Sequence, residues 1–134
     1  MAAKCSILLV DDESSILETL RQVFEREGYE VATARSSAEA VGLIKRNGRF
    51  DAVITDLNME KEDIGLEVAR VAMKSKPRPA VVICTGFASM ANSRAALEMG
   101  VDYMAHKPVE LTDLISALNR LISKHRQLGD ADVR

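Results

Sequence analysis

At 134 residues the chain falls within the usual size of one domain, and its 47% hydrophobic content is enough for a sizeable core. Its formal charge is -2 with both signs scattered, which leaves no basic stripe, and direct nucleic-acid binding is not expected. The opening residues Met1-Ala2-Ala3-Lys4-Cys5 lead into an apolar run too short for a secretory core or a membrane span, so no membrane contact and a cytoplasmic location are expected.

Apolar runs then alternate with segments of helical period, in the order β-α repeated five times, with no repeat or linker. Ile7-Leu8-Leu9-Val10 predicts the first strand. Ile16, Leu17, Leu20, Val23 and Phe24 share one helical face, and Gly28 stands where a left-handed cap would close the first helix. Tyr29 to Ala34 predicts the second strand, and Ser36 with Glu39 resembles a capping box before Val41, Leu43 and Ile44, a helix closed near Asn47-Gly48. Ala52-Val53-Ile54-Thr55 predicts the third strand. Leu66, Val68, Ala69 and Ala72 support a third helix that must stop before Lys76-Pro77-Arg78-Pro79, because proline restricts its predecessor and lacks a donor. Ala80 to Cys84 is the fourth strand, Ala91, Ala95, Ala96 and Met99 the fourth helix with Gly100 at its end, and Tyr103-Met104-Ala105 the fifth strand. Leu111, Leu114, Ile115, Leu118, Leu121 and Ile122 predict the last helix. Continuous apolar strands separated by helices imply a parallel sheet covered on both faces, and right-handed crossovers leave few topologies. The pattern fits an α/β, flavodoxin-like (βα)5 three-layer sandwich of strand order 2-1-3-4-5, with one domain over 4–126 and a flexible tail over 127–134.

Four strand ends carry chemistry: Asp11-Asp12, Asp56, Thr85, and Lys107-Pro108. The ends of the first and third strands flank the switch point of this sheet order, which places Asp11, Asp12 and Asp56 together. Three neighbouring carboxylates repel in a low-dielectric cleft and need a cation or raised pKa values to coexist. Mg2+ suits them, since it takes oxygen ligands and keeps waters, whereas zinc is disfavoured because no His or Cys joins the cluster. An aspartate is also a nucleophile able to carry an acyl phosphate, with Lys107 and Thr85 as donors to the phosphoryl group. Singly, each residue has a plainer role: Asp12 a helix N-cap, Thr85 a cap on the next turn, Lys107 a surface amine. Their shared edge favours a site. Cys5 and Cys84 read as small buried hydrophobes, His106 as a satisfied structural histidine, His125 as a partner of the last helix dipole, and Met59, Met73, Met90, Met99 and Met104 as packing.

Over nearly its whole length the chain resembles a response-regulator receiver domain of bacterial two-component signalling, of the CheY-like superfamily. The resemblance implies that Asp56 is the phosphoacceptor, that Asp12 and Asp56 contact Mg2+ directly, that Asp11 helps through water, and that the Asn58 backbone carbonyl completes the protein ligands. It further implies that Lys107 pairs with phosphoryl oxygens, that Thr85 is the switch hydroxyl, that the Lys107-Pro108 peptide is cis, and that Asn58 and Phe87 flank the site. The implied partners are a sensor histidine kinase or histidine phosphotransfer protein and a downstream protein or output domain. Helix 4, strand 5 and helix 5 would form the output face and a possible dimer contact, and the chain would be a signalling phosphoacceptor and not an enzyme.

Two places depart from the family pattern, one strand position and one loop. Met104 stands where an aromatic usually couples to the switch threonine, and Tyr103, one residue earlier, should face the other side of the strand. After Asp56, Glu60 replaces a common proline, and Asp63-Ile64-Gly65 gives a loop from Asn58 to Ile64 that is one residue longer and more acidic. Glu60, Glu62 and Asp63 there are either solvated charges or modulators of Mg2+ affinity and partner choice. Two rival classes stay open: a degenerate, phosphorylation-independent receiver acting as an interaction module, and an aspartate-nucleophile phosphatase, which Leu57-Asn58 argues against by supplying no acid two residues after Asp56.

Overall fold

Alternation along the first strand sorts its side chains onto two faces, and each face has its own core. The computed structural model describes residues 5–47 and 49–133, so Gly48, expected to help close the second helix, and Lys4, the expected domain start, lie outside the described residues. The elements are β1 (Ser6–Val10), α1 (Ser14–Arg26), β2 (Glu30–Ala34), α2 (Ser37–Asn47), β3 (Ala52–Asp56), α3 (Gly65–Met73), β4 (Ala80–Thr85), α4 (Met90–Met99), β5 (Tyr103–His106) and α5 (Leu111–Val133). All strand pairs are parallel and the order is β2-β1-β3-β4-β5. Ile7 and Leu9 of β1 pack with Ile54, Val82, Leu17, Phe24, Leu114 and Leu118 on the α1 and α5 side. Leu8 and Val10 pack with Val53, Val81, Ile83, Ala40, Val68 and Ala96 on the α2, α3 and α4 side. The flavodoxin-like three-layer α/β sandwich expected from the apolar runs is therefore the observed fold.

Local signals set the element ends. Gly28 after α1 and Gly100 at the C-cap of α4 hold φ of +94° and +85°, the left-handed conformation in which a missing Cβ removes the steric cost. The Ser36 hydroxyl oxygen accepts from the Glu39 N–H at 3.2 Å, one arm of the expected box. Both the Lys76-Pro77 and Lys107-Pro108 peptides are cis. The last helix runs to Val133, past position 127 where the sequence suggested a tail.

That extension changes the reading of His125, which lies inside α5 and not at its end. Its Nε2 sits 2.9 Å from Asp102 Oδ1, on the turn between α4 and β5, instead of complementing a helix terminus. Asp102 Oδ2 also accepts from the Val81 N–H at 2.8 Å and pairs with Arg78 Nη2 at 3.1 Å. One largely buried carboxylate thus ties the start of β4, the α4–β5 turn and α5 together. Asp102→Ala leaves the Val81 N–H and the Arg78 guanidinium without this acceptor, and a loss of about 2 kcal/mol in urea unfolding is expected. His106 is exposed, a surface histidine in place of the satisfied structural one the sequence suggested. Met90 is 86% exposed, so it alone of the five methionines expected to pack lies outside the core.

Candidate functional site

At the carboxyl edge of the sheet, β1 delivers Asp11 and Asp12 and its neighbour β3 delivers Asp56 as its last residue. Carboxylate oxygens of all three lie within 4.8 Å of one another. Asp11 is buried, Asp56 half-buried and Asp12 exposed. Lys107 follows β5 and reaches across β4's end, its Nζ 3.3 Å from Asp56 Oδ2 and 3.5 Å from Asp11 Oδ2. Strand order thus brings the three aspartates together on neighbouring strands, and the length of the Lys107 side chain completes the quartet, since β5 is two strands away from β3.

The plainer role for Asp12 does not hold. Glu13 is the N-cap of α1 and makes no side-chain cap bond, while the Glu13 N–H donates to Asp11 Oδ1 at 2.9 Å. Asp11 is thus fixed by backbone and by Lys107, and Asp12 projects from the cluster with no capping duty. Burial pushes the Asp56 carboxyl above its usual range, and the Asp11 charge adds to this while Lys107 opposes it. Burial also pulls on the Lys107 ammonium, but the charges of Asp56 and Asp11 outweigh it and hold its pKa above normal. A carboxyl whose folded pKa is raised binds its proton more tightly in the folded chain, so this group favours folding at low pH and opposes it as pH rises through the folded value. Without divalent metal, Asp56→Asn is accordingly expected to raise the neutral-pH Tm by a few degrees, with the difference vanishing below about pH 4. Paired melting curves across pH check this.

Thr85 ends β4, 1% exposed, and its Oγ1 accepts from the Phe87 N–H at 3.0 Å. It therefore caps the next turn here. Met104 lies on the α4 side of β5, packed against that core, with its sulfur 3.9 Å from the Ser93 hydroxyl of α4. Tyr103 is 41% exposed on the opposite face, as strand alternation requires. Cys84 is buried, its thiol pushed up to about 12 by desolvation, and Cys5 is half-buried; both are free.

The acidic loop between β3 and α3 is pinned at several points that sequence patterns did not expose. Glu60 accepts from the Ser37 N–H at 3.0 and 3.3 Å, so it caps α2 from another loop and is not merely a solvated charge. Asn58 Oδ1 accepts from the Asp63 N–H at 2.7 Å, and Asp63 Oδ1 accepts from Asn92 Nδ2 at 3.3 Å. Gly65 closes the loop: its N–H donates to the Leu57 carbonyl at 2.8 Å. A Cβ there would sit 2.8 Å from Leu57 Cα and closer still to the Asp56 carbonyl oxygen. A glycine at the entrance of α3 was the available sequence signal for this close approach; Ser89 with Asn92 three residues later was the available signal for the α4 capping box.

Residues 7–119 match the family model for the response regulator receiver domain. The chain is 38% identical to the alginate biosynthesis transcriptional regulatory protein AlgB of Pseudomonas aeruginosa, over 92% of this chain and 30% of that protein. It is 31% identical to the photosynthetic apparatus regulatory protein RegA of Rhodobacter capsulatus, over 84% of this chain and 60% of that protein. The chain thus spans less than two thirds of the length of these relatives. The solved CheY-like receiver domain of Methanospirillum hungatei superposes with a TM-score of 0.88 at 31% identity, over 95% of this chain and 100% of that one. With the fold, the acidic cluster and these matches in agreement, the chain belongs to the response regulator receiver domain family.

Proposed function

We propose that the chain accepts a phosphoryl group on Asp56 and signals by a change of its surface. The observation that carries this reading is Lys107 Nζ poised between the Asp56 and Asp11 carboxylates, 3.3 and 3.5 Å away, beside Asp12. Mg2+ fits the donor set, because three carboxylates with no His or Cys among them form a hard oxygen site. Asp12 and Asp56 would hold it directly, Asp11 through water, and the Asn58 carbonyl would complete the protein ligands. When bound, the ion supplies positive charge that offsets the phosphoryl oxygens and the clustered aspartates.

The residues themselves do the rest. One Asp56 carboxylate oxygen attacks the phosphorus of a phosphohistidine on a sensor kinase or phosphotransfer protein, the P–N bond breaks, and the imidazole leaves with its electron pair, giving an acyl phosphate. Lys107 then pairs with a phosphoryl oxygen in place of its present contact with Asp56. Thr85 Oγ1 donates to the phosphoryl group after releasing the Phe87 N–H. An apolar cavity of about 400 Å³ between α1 and α5, lined by Ile16, Leu20, Leu111 and Leu114 with Asp11 and Lys107 at one end, supports docking of the phosphodonor beside the site. On the α4, β5 and α5 face, Phe87, Met90, Leu97 and Tyr103 are 76, 86, 79 and 41% exposed, which supports that face as the contact for an output partner or a second copy. The phosphorylated unit of 4–126 would act on an output of the regulatory kind for which AlgB and RegA are named. Among the described residues no helix is long and apolar enough to cross a membrane.

Beryllium fluoride with Mg2+ mimics the acyl phosphate, and in protein-observed NMR it should shift resonances at Asp56, Thr85 and Lys107 and then at α4. A phosphorylation-independent interaction module predicts no response, and silence at Asp56 would reject the phosphoacceptor reading.

A further inference from the structure

The loop from β3 to α3 is joined to the start of α4 by a hydrogen bond, Asn92 to Asp63, that phosphoryl chemistry does not require. Asn58, whose carbonyl is the proposed metal contact, uses its side-chain oxygen to hold the Asp63 N–H at 2.7 Å. Asp63 adopts φ of +58°, a left-handed conformation that Asp, Asn and Gly tolerate best. Its Oδ1 accepts from Asn92 Nδ2 at 3.3 Å. Asn92 is only 5% exposed, and its amide has one workable orientation. Its Oδ1 accepts from the Ser89 N–H at 2.9 Å, while its own N–H donates to Ser89 Oγ at 3.1 Å, closing the capping box of α4. Because Ser89 holds the amide oxygen, the NH2 group is aimed at Asp63, and flipping the amide would lose both contacts.

The threonine route to α4 is correspondingly thin. Thr85 Oγ1 is engaged by the Phe87 N–H, and Met104, packed against the core on the α4 side, adds only a weak sulfur hydrogen bond with Ser93 at 3.9 Å. We propose that Asp63 and Asn92 are positioning residues that couple the phosphorylation site to α4. The inference rests on the reading of Asp56 as phosphoacceptor. Rearrangement at Asn58 when the site is charged moves Asp63, and Asn92 transmits that movement to the first turn of α4. That helix presents the exposed Met90 and Leu97.

The full chain, with beryllium fluoride and Mg2+ as the probe, tests this by NMR. Asp63→Asn keeps both the acceptor and the tolerance of positive φ, and is expected to respond at α4 as the wild type does. Asp63→Gly has the same charge as Asp63→Asn and keeps the backbone conformation, but lacks the acceptor. Its Thr85 and Lys107 resonances should still saturate while the response at Leu97 to Gly100 falls about threefold. Asn92→Asp keeps the acceptor for Ser89 but turns the donor facing Asp63 into a second oxygen, and the same loss is expected. Without the probe, amide exchange at Asn92 and Ser93 should be faster in Asp63→Gly than in Asp63→Asn. A full α4 response in Asp63→Gly with a saturated site, or equal exchange in the two variants, overturns the coupling. A wild-type site that never responds overturns the phosphoacceptor reading, and with it the coupling, whereas equal exchange overturns the coupling alone.

Discussion

Gly65→Ala is expected to lower stability by about 3 kcal/mol, roughly 10 °C in Tm, from the addition of one methyl group. The added Cβ would meet Leu57 Cα at 2.8 Å and the Asp56 carbonyl oxygen at a still shorter distance, and both are backbone atoms that no rotamer change can move aside. Relief requires opening the Gly65 N–H bond to Leu57 and shifting the end of β3. Because Asp56 is the last residue of that strand, the same change displaces the carboxylate from Lys107. Gly42→Ala is the matched control. Its nearest neighbour would be the end of the Arg46 side chain at 3.9 Å, and in the interior of α2 alanine should gain about 0.5–1 kcal/mol. Urea unfolding of the two variants should move in opposite directions.

Lys107→Met is expected to cost about 2 kcal/mol at neutral pH without metal, a value below that of a fully buried pair because the lysine side chain is 29% exposed. The variant leaves Asp11 and Asp56 with oxygens in one cluster and no ammonium between them. The sign with pH follows from the raised Lys107 pKa: the contribution of the ammonium is complete at neutral pH and is lost only as pH rises through the folded value. It also shrinks in acid, where Asp56 takes up a proton. If the cluster is a cation site, millimolar Mg2+ should recover part of the deficit, because the ion replaces the missing positive charge. Melting curves at neutral and acid pH, with and without Mg2+, check each limb.

Much of this fold was legible because the apolar runs are continuous and each ends in a chemically distinctive residue. Buried parallel strands leave such runs, and strand order then decides which ends meet, so Asp11, Asp12, Asp56 and Lys107 could be brought together from spacing. The opposite faces of Tyr103 and Met104 were equally readable, since alternation depends only on neighbours in the chain. What escaped depends on contacts between distant segments. Glu60 looked like a loop charge because its partner, the Ser37 N–H, belongs to the previous β-α unit. His125 looked terminal because the extent of α5 and the position of Asp102 were not encoded nearby. The bond between Asp63 and Asn92 joins the β3–α3 loop to the first turn of α4, 29 residues apart, and only the fold places them together.

The most direct measurement is intact mass after incubation with acetyl phosphate and Mg2+, made on the wild type and on Asp56→Asn. The wild-type chain should gain the mass of one phosphoryl group, in a metal-dependent and alkali-labile form, while Asp56→Asn gains none. No added mass on the wild type, or equal labelling of Asp56→Asn, would contradict the assignment of Asp56 as the phosphoacceptor.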